Sequence, residues 1–356
     1  MLPPFFTETM VAMNEINQKI IDAVIRKAET ICPDSLALIG IYGSVATGEA
    51  YEKSDLDLLI LIENEDGWQL ATGFLLDDSR VGYDIYCTDW DGLRYDAKCH
   101  HAQLSKLLDA KIVYIKNQAA YQELCRLRQQ ARAHLVSEER LHGVQALVDK
   151  AKISFANAYL HDALGQVRLD AFAVMYYLTD ALMLYHGQYF HRGTKHMLTE
   201  LATLPIDRSF LDHIRAISEC REVSELRTYA KALVLYAEAH CASETEKAKP
   251  SQNLAGTYEE IYSNWRNKVE EAANREDRFA AFVNLCNLQY MFDGIAAETD
   301  IGTYDILGGY DPDNLENNVR LFDACLRRYE EVYHTAGLRV CRYANVDEFL
   351  AEYLKI

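Results

Sequence analysis

Asp55 and Asp57 lie two residues apart at the head of an apolar run, Leu58-Leu59-Ile60-Leu61-Ile62. Side chains alternate across a strand, so the two carboxylates point one way while Leu56 and Leu58 point into a core. Like charges this close repel unless a cation sits between them. Hard carboxylate oxygens suit a divalent ion, magnesium first. Upstream, a second apolar run, Leu36 to Tyr42, stops at Gly43-Ser44 and passes through a short segment to Gly48. A strand that turns through Gly-Ser into a short helix offers free backbone N–H groups to an anion, with the helix dipole behind them. Gly43 has no Cβ to hold a phosphate away, and Ser44 adds a hydroxyl donor. A phosphate-binding turn facing a metal-binding acid pair describes a site for a magnesium-loaded nucleoside triphosphate. The alternative is a tight turn followed by a solvent-facing Asp pair.

Periodicity gives the elements that must position these residues. Residues 8–30 carry Met10, Met13, Ile16, Ile20, Ile21 and Val24 at helical spacing and predict an amphipathic helix ahead of the first strand. Glu63 to Gly67 reads as a turn, and Trp68 to Leu75 as a short helix or irregular segment. Arg80 to Thr88 predicts a third strand, with Val81, Tyr83, Ile85 and Cys87 on one face and Gly82, Asp84 and Tyr86 on the other. A polar helix over Asp89 to His101, continued at Leu104 to Leu108, precedes a fourth strand at Lys111 to Ile115. The adjacent His100 and His101 diverge on a helix, lack the spacing to share an ion, and read as surface residues.

From Gln118 the strands disappear. Helices are predicted at about 118–135, 138–164, 168–187, 195–203, 207–218, 222–243, 257–273, 275–293, 314–336 and 345–354, with Ser137 as an N-cap. Ser243 to Gly256 is the most linker-like stretch, and Gly308 to Asn314 reads as a loop. After the apolar helix that begins near Asp170 comes a compact basic loop of His186, His191, Arg192, Lys195 and His196.

The pattern Gly43-Ser44-x3-Gly48-x6-Asp55-x-Asp57 resembles the signature of the nucleotidyltransferase superfamily that includes DNA polymerase beta. Its wording is most similar to the small antibiotic-modifying and minimal branches, such as the streptomycin/spectinomycin adenylyltransferases. The resemblance spans about residues 36–88 and is architectural beyond. It implies an α+β N-terminal nucleotidyltransferase domain over residues 1–117, a small mixed sheet with flanking helices. An all-α helical bundle over 118–356 follows, with a possible subdivision near 243–256. It implies one or two Mg²⁺ ions held by Asp55 and Asp57, with Asp84 as a third acidic ligand on a neighbouring strand. Otherwise Asp84 is an exposed strand residue. Arg192 and Lys195 would contact the triphosphate; alternatively, they satisfy the dipole at a helix C-terminus without any ligand. The general base would be a carboxylate of the helical half, with Glu138, Glu139 and Asp180 as candidates. Asp180 is preferred, as a lone acid in an apolar helix where burial raises its pKa. Val45 and Thr47 depart from the pattern, standing where many minimal members carry basic residues.

The bulk properties bound this reading. A chain of 356 residues exceeds what one core usually organises. A formal net charge of −18 disfavours a long nucleic acid and favours a cationic small molecule. No stretch is long and apolar enough to span a bilayer, and the N-terminus lacks a signal-peptide pattern. Nine cysteines without a C-x-x-C pair predict thiols in a reducing cytoplasm rather than a disulfide or zinc framework. The combined expectation is a cytoplasmic enzyme transferring NMP, AMP from ATP, to a hydroxyl of a small acceptor such as an aminoglycoside-like compound. A protein hydroxyl as acceptor, or a nucleotide-binding regulator, are the alternatives.

Overall fold

Two strands in which every residue is buried, β1 (Leu36–Ile41) and β2 (Leu58–Ile62), form the centre of a four-stranded sheet. The sheet runs β5 (Cys87–Thr88), β2, β1, β6 (Lys111–Ile115), with β1 antiparallel to both neighbours and β2 parallel to β5. Strands covered on both faces read as continuous apolar runs, and these two do. Leu38, Leu59 and Leu61 face a core shared with helices, while Ile39, Ile41, Leu58, Ile60 and Ile62 face a second core on the other side. Each such side chain withdrawn from water contributes about 1.5–3 kcal/mol. The computed structural model describes residues 15–51, 54–242, 249 and 254–354. The chain divides into two compact units, residues 1–243 and 244–356.

In the first unit, α1 (Glu15–Ile31) lays Ile21, Val24 and Ala28 into the second core. The start of the helix predicted from residue 8, with Met10 and Met13, lies outside the described residues. Two expectations need correction here. Thr72–Leu76 is a strand, β3, rather than a helix or irregular segment, and pairs antiparallel with β4 (Val81–Ile85) in a separate two-stranded sheet. Its burial alternates poorly, which hid it. The stacked rings of Phe74 and Tyr83, 5.1 Å apart, supply the cross-strand contact. The single strand predicted over 80–88 is β4 and β5, which belong to different sheets.

Short helices α2 (Gly43–Thr47), α3 (Trp90–Asp96) and α4 (Ser105–Leu108) punctuate the sheet. Then come α5 (Gln118–Val136), α6 (Arg140–Leu160), α7 (Leu164–Tyr185), α8 (Met197–Leu201), α9 (Arg208–Glu219) and α10 (Val223–Cys241). Every residue of α7 from Leu178 to Leu184 is buried, as befits a helix packed against both α6 and α10. Ser137 is not an N-cap. Its N–H and its hydroxyl both donate to His134 O, so it closes α5.

The second unit packs α11 (Thr257–Ile261), α12 (Asn267–Asn274), α13 (Arg278–Glu298), α14 (Leu315–Thr335) and α15 (Val346–Tyr353). A π-turn at Tyr262–Arg266 interrupts the helix predicted over 257–273. Its core is aromatic: Phe292 and Tyr304 stack at 4.2 Å, and Arg328 covers the Tyr304 ring at 4.3 Å. Most of the linker predicted at Ser243 to Gly256 lies outside the described residues. All nine cysteines are free. Among the described residues, no helix is long and apolar enough to cross a membrane.

Candidate functional site

The β1–β2 pairing continues one step past both strands: Tyr42 N–H donates to Asp57 O at 3.1 Å. That step seats the Asp57 carboxylate directly over the turn. A Cβ on Gly43 would lie 1.9 Å from Asp57 Oδ2, and Gly43 has φ +66°, so both space and backbone require glycine. The Ser44 N–H donates to the Asp57 carboxylate. One of the N–H groups expected to receive phosphate therefore serves the acid instead. Gly48, also left-handed, closes α2 with its N–H on Ser44 O, and Lys111 Nζ anchors the helix through Ala46 O at 2.5 Å.

Burial, then the neighbouring Asp55 carboxylate, pushes Asp57 up to about 6. A pair of hard oxygen donors whose mutual repulsion resists ionisation is one that a divalent cation relieves. Asp55 and Asp57 therefore fit a magnesium ion. Asp84 lies on the stretch that runs through Tyr86 into β5, the parallel neighbour of β2. Its strand β4 pairs with β3 and not with β2, and its side chain is exposed. Among the described residues no three His, Cys, Asp or Glu side chains gather closely enough to hold a metal ion. Asp84 does share the field around Tyr42, whose hydroxyl is pushed up to about 12 by burial, then by Asp57, Asp55, Asp96 and Asp84.

A cleft of about 320 Å³ opens over the turn. Gly43, Ser44 and Asp57 line one wall; Arg192, Lys195 and His196 line the other, with Glu49 between. The basic loop is fastened to the sheet-bearing part of the unit. Phe190 N–H donates to Ala102 O at 2.8 Å, Tyr189 Oη donates to Asp109 Oδ1 at 2.7 Å, and His191 Nδ1 lies 3.0 Å from Asp109 Oδ2. Glu200, 7% exposed, accepts from His191 N at 2.8 Å, from Arg192 N at 2.9 Å and from Arg192 Nε at 3.2 Å. Arg192 Nη1 reaches Glu49 Oε1 at 2.9 Å, and His196 Nε2 reaches Glu49 Oε2 at 3.0 Å. The Arg192 hydrogen bond holds the Glu49 carboxyl below its usual range. Lys195 Nζ sits 5.8 Å over the Tyr51 ring.

The helix-end alternative for Arg192 and Lys195 is taken up by another residue. Arg140 Nε and Nη2 donate to Tyr185 O, at 3.2 and 3.1 Å, and satisfy the end of α7. His186 turns toward α10, its Nε2 2.9 Å from His240 Nε2. His101 is half-buried rather than a surface residue, 3.3 Å from Asp96.

The structure does not bring Asp180 to the cleft. It is 1% exposed in α7, where it accepts from the Ala102 N–H and from Gln103 Nε2 at 3.4 Å, and burial raises it to about 6. Its visible work is to fasten the 102–103 loop. Periodicity gave no sign of Tyr42, Glu49 and Ser105 as cleft residues. For Glu49 the signal would have been an opposite charge 143 residues away, which a sequence does not display.

Residues 18–117 match the nucleotidyltransferase domain family. The chain is also similar to a solved nucleotidyltransferase-like protein from Exiguobacterium sibiricum 255-15, at 12% identity over 73% of this chain and 91% of that one. The TM-score of 0.35 is too low to bear on the fold. No curated protein matches.

Proposed function

We propose that this transferase, whose residues 18–117 are a nucleotidyltransferase domain, moves a nucleoside monophosphate, AMP from ATP, onto a hydroxyl of a small acceptor. One observation carries the reading: a single cleft gathers the Gly43–Ser44 turn and Asp57 on one side and Arg192 and Lys195 on the other. In this reading Asp55 and Asp57 hold Mg²⁺, which when bound neutralises phosphate charge. The glycine turn lets the phosphates approach the backbone, and Lys195 with the Nη2 arm of Arg192 receives their outer oxygens. The acceptor oxygen bonds to the α-phosphorus and gives up its proton to solvent, the bond to the bridging oxygen breaks, and pyrophosphate leaves. No protein bond forms, so orientation and charge supply the acceleration. The chain's net charge of −18 favours a cationic acceptor, of which an aminoglycoside-like compound is the type.

The test incubates the protein with labelled ATP, Mg²⁺ and a panel of aminoglycosides, then with cell lysate. Label on a small molecule with release of pyrophosphate is the expected outcome. Label on a polypeptide instead would make the acceptor a protein, and binding without pyrophosphate release would overturn transfer altogether.

A further inference from the structure

Both oxygens of Glu49 are spent on the cationic wall of the cleft, one on Arg192 Nη1 and one on His196 Nε2. The loop does not need Glu49 for its shape. Glu200 holds the backbone of His191 and Arg192 together with Arg192 Nε, and Asp109 and Ala102 hold Tyr189, Phe190 and His191. What Glu49 adds is a negative charge inside the cleft. Asp57 lines the same cleft, with Asp55 close enough to disturb its ionisation. Of the three guanidinium nitrogens of Arg192, only Nη2 has no protein partner among the described residues. The cleft thus sets two acids, Glu49 and Asp57, beside two cations, Arg192 and Lys195.

We infer that Glu49 is a specificity residue, making the cleft take metal-loaded triphosphate in preference to free triphosphate. This rests on the nucleotide reading above. A free triphosphate brings its whole negative charge against both Asp57 and Glu49. A divalent ion removes two of those charges and turns a positive face toward Asp55 and Asp57. Coulomb energy scales with the product of the charges, so Glu49 penalises the free form more than the loaded one. Removing only that charge therefore helps the free form more.

Calorimetric titration of the full chain separates the possibilities. The ligands are inorganic tripolyphosphate and an ATP analogue with a non-cleavable α–β bridge, each with and without Mg²⁺. Glu49→Gln keeps an oxygen for Arg192 and loses the charge; Glu49→Ser is the second variant, and thermal melting checks the fold of both. The ratio of loaded to free affinity is expected to fall about ten-fold in Glu49→Gln, by tighter binding of the free forms, and the difference should shrink at high salt. An unchanged ratio, or equal weakening of both forms, would overturn the inference and leave Glu49 as a brace for Arg192. If the wild type binds neither form, the nucleotide reading fails and takes this one with it. If the wild type binds the loaded form and the ratio stays put, only this inference fails.

Discussion

Gly43→Ala is the sharpest test of the geometry over the turn. The new methyl would stand 1.9 Å from Asp57 Oδ2 and 2.7 Å from Cγ, so the carboxylate must retreat to the 3.4 Å of ordinary contact. The backbone at φ +66° adds about 1–2 kcal/mol for any residue with a Cβ. Losing the Ser44 N–H from the half-buried carboxylate costs about 1–3 kcal/mol more. A stability loss of about 2–5 kcal/mol is expected from urea unfolding. Pyrophosphate release should fall at least about 100-fold, since a shift of an ångström or more misplaces the oxygen that, on the proposed function, would hold the metal. Gly48→Ala is the control. It has a similar φ of +78° and nothing within 4 Å of the added methyl. It should lose only the backbone cost of about 1–2 kcal/mol and keep turnover within a few-fold. If Gly43→Ala and Gly48→Ala match in both measurements, the position of Asp57 does not depend on the glycine and the turn does not build the site.

Asp57 is raised from 3.8 to about 6, so the folded chain binds its proton more readily than the unfolded chain does across that window, and stability falls as pH rises through it. Allowing for its partial exposure, Asp57→Asn should reduce that fall, gain about 1–2 kcal/mol at pH 7.5 in urea melts, and lose the response to Mg²⁺. Asp180 is raised likewise, so Asp180→Asn should flatten the same window. Because Asp180 lies away from the cleft, its turnover should stay within about ten-fold, whereas removing a general base costs about 10²–10⁴-fold. Glu200→Ala strips the acceptor from two backbone N–H groups and Arg192 Nε; denaturant melts should show a loss of about 3–5 kcal/mol, with a raised KM for ATP.

The parts legible in the sequence are those whose signal is local. The fully apolar runs of β1 and β2, the glycine spacing around α2 and the helical periods after Gln118 each declare themselves within a few residues. β3 did not, because a half-exposed hairpin strand lacks clean alternation. The alternation around Asp84 shows locally in the sequence as a strand, but its pairing with β3 is a long-range choice. Arg192 and Lys195 were visible as charge clustering. Their convergence on the turn depends on Phe190, Tyr189 and Glu200 contacts that no pattern announces. Ser137 failed as an N-cap for a related reason: a hydroxyl beside a helix gap can serve either end, and here His134 O is within reach.

One apolar core runs unbroken from Leu38 and Leu59 in the sheet through Leu124, Leu147 and Val174 to Leu233 in α10. The stretch that carries the family's signature is therefore not a piece that can be lifted out. A fragment stopped at residue 117 would keep the glycines and the aspartates, forfeit the wall that faces them, and show water a bare oily sheet. Changes that retune what the pocket accepts will accordingly tend to alter how much heat residues 1–243 withstand.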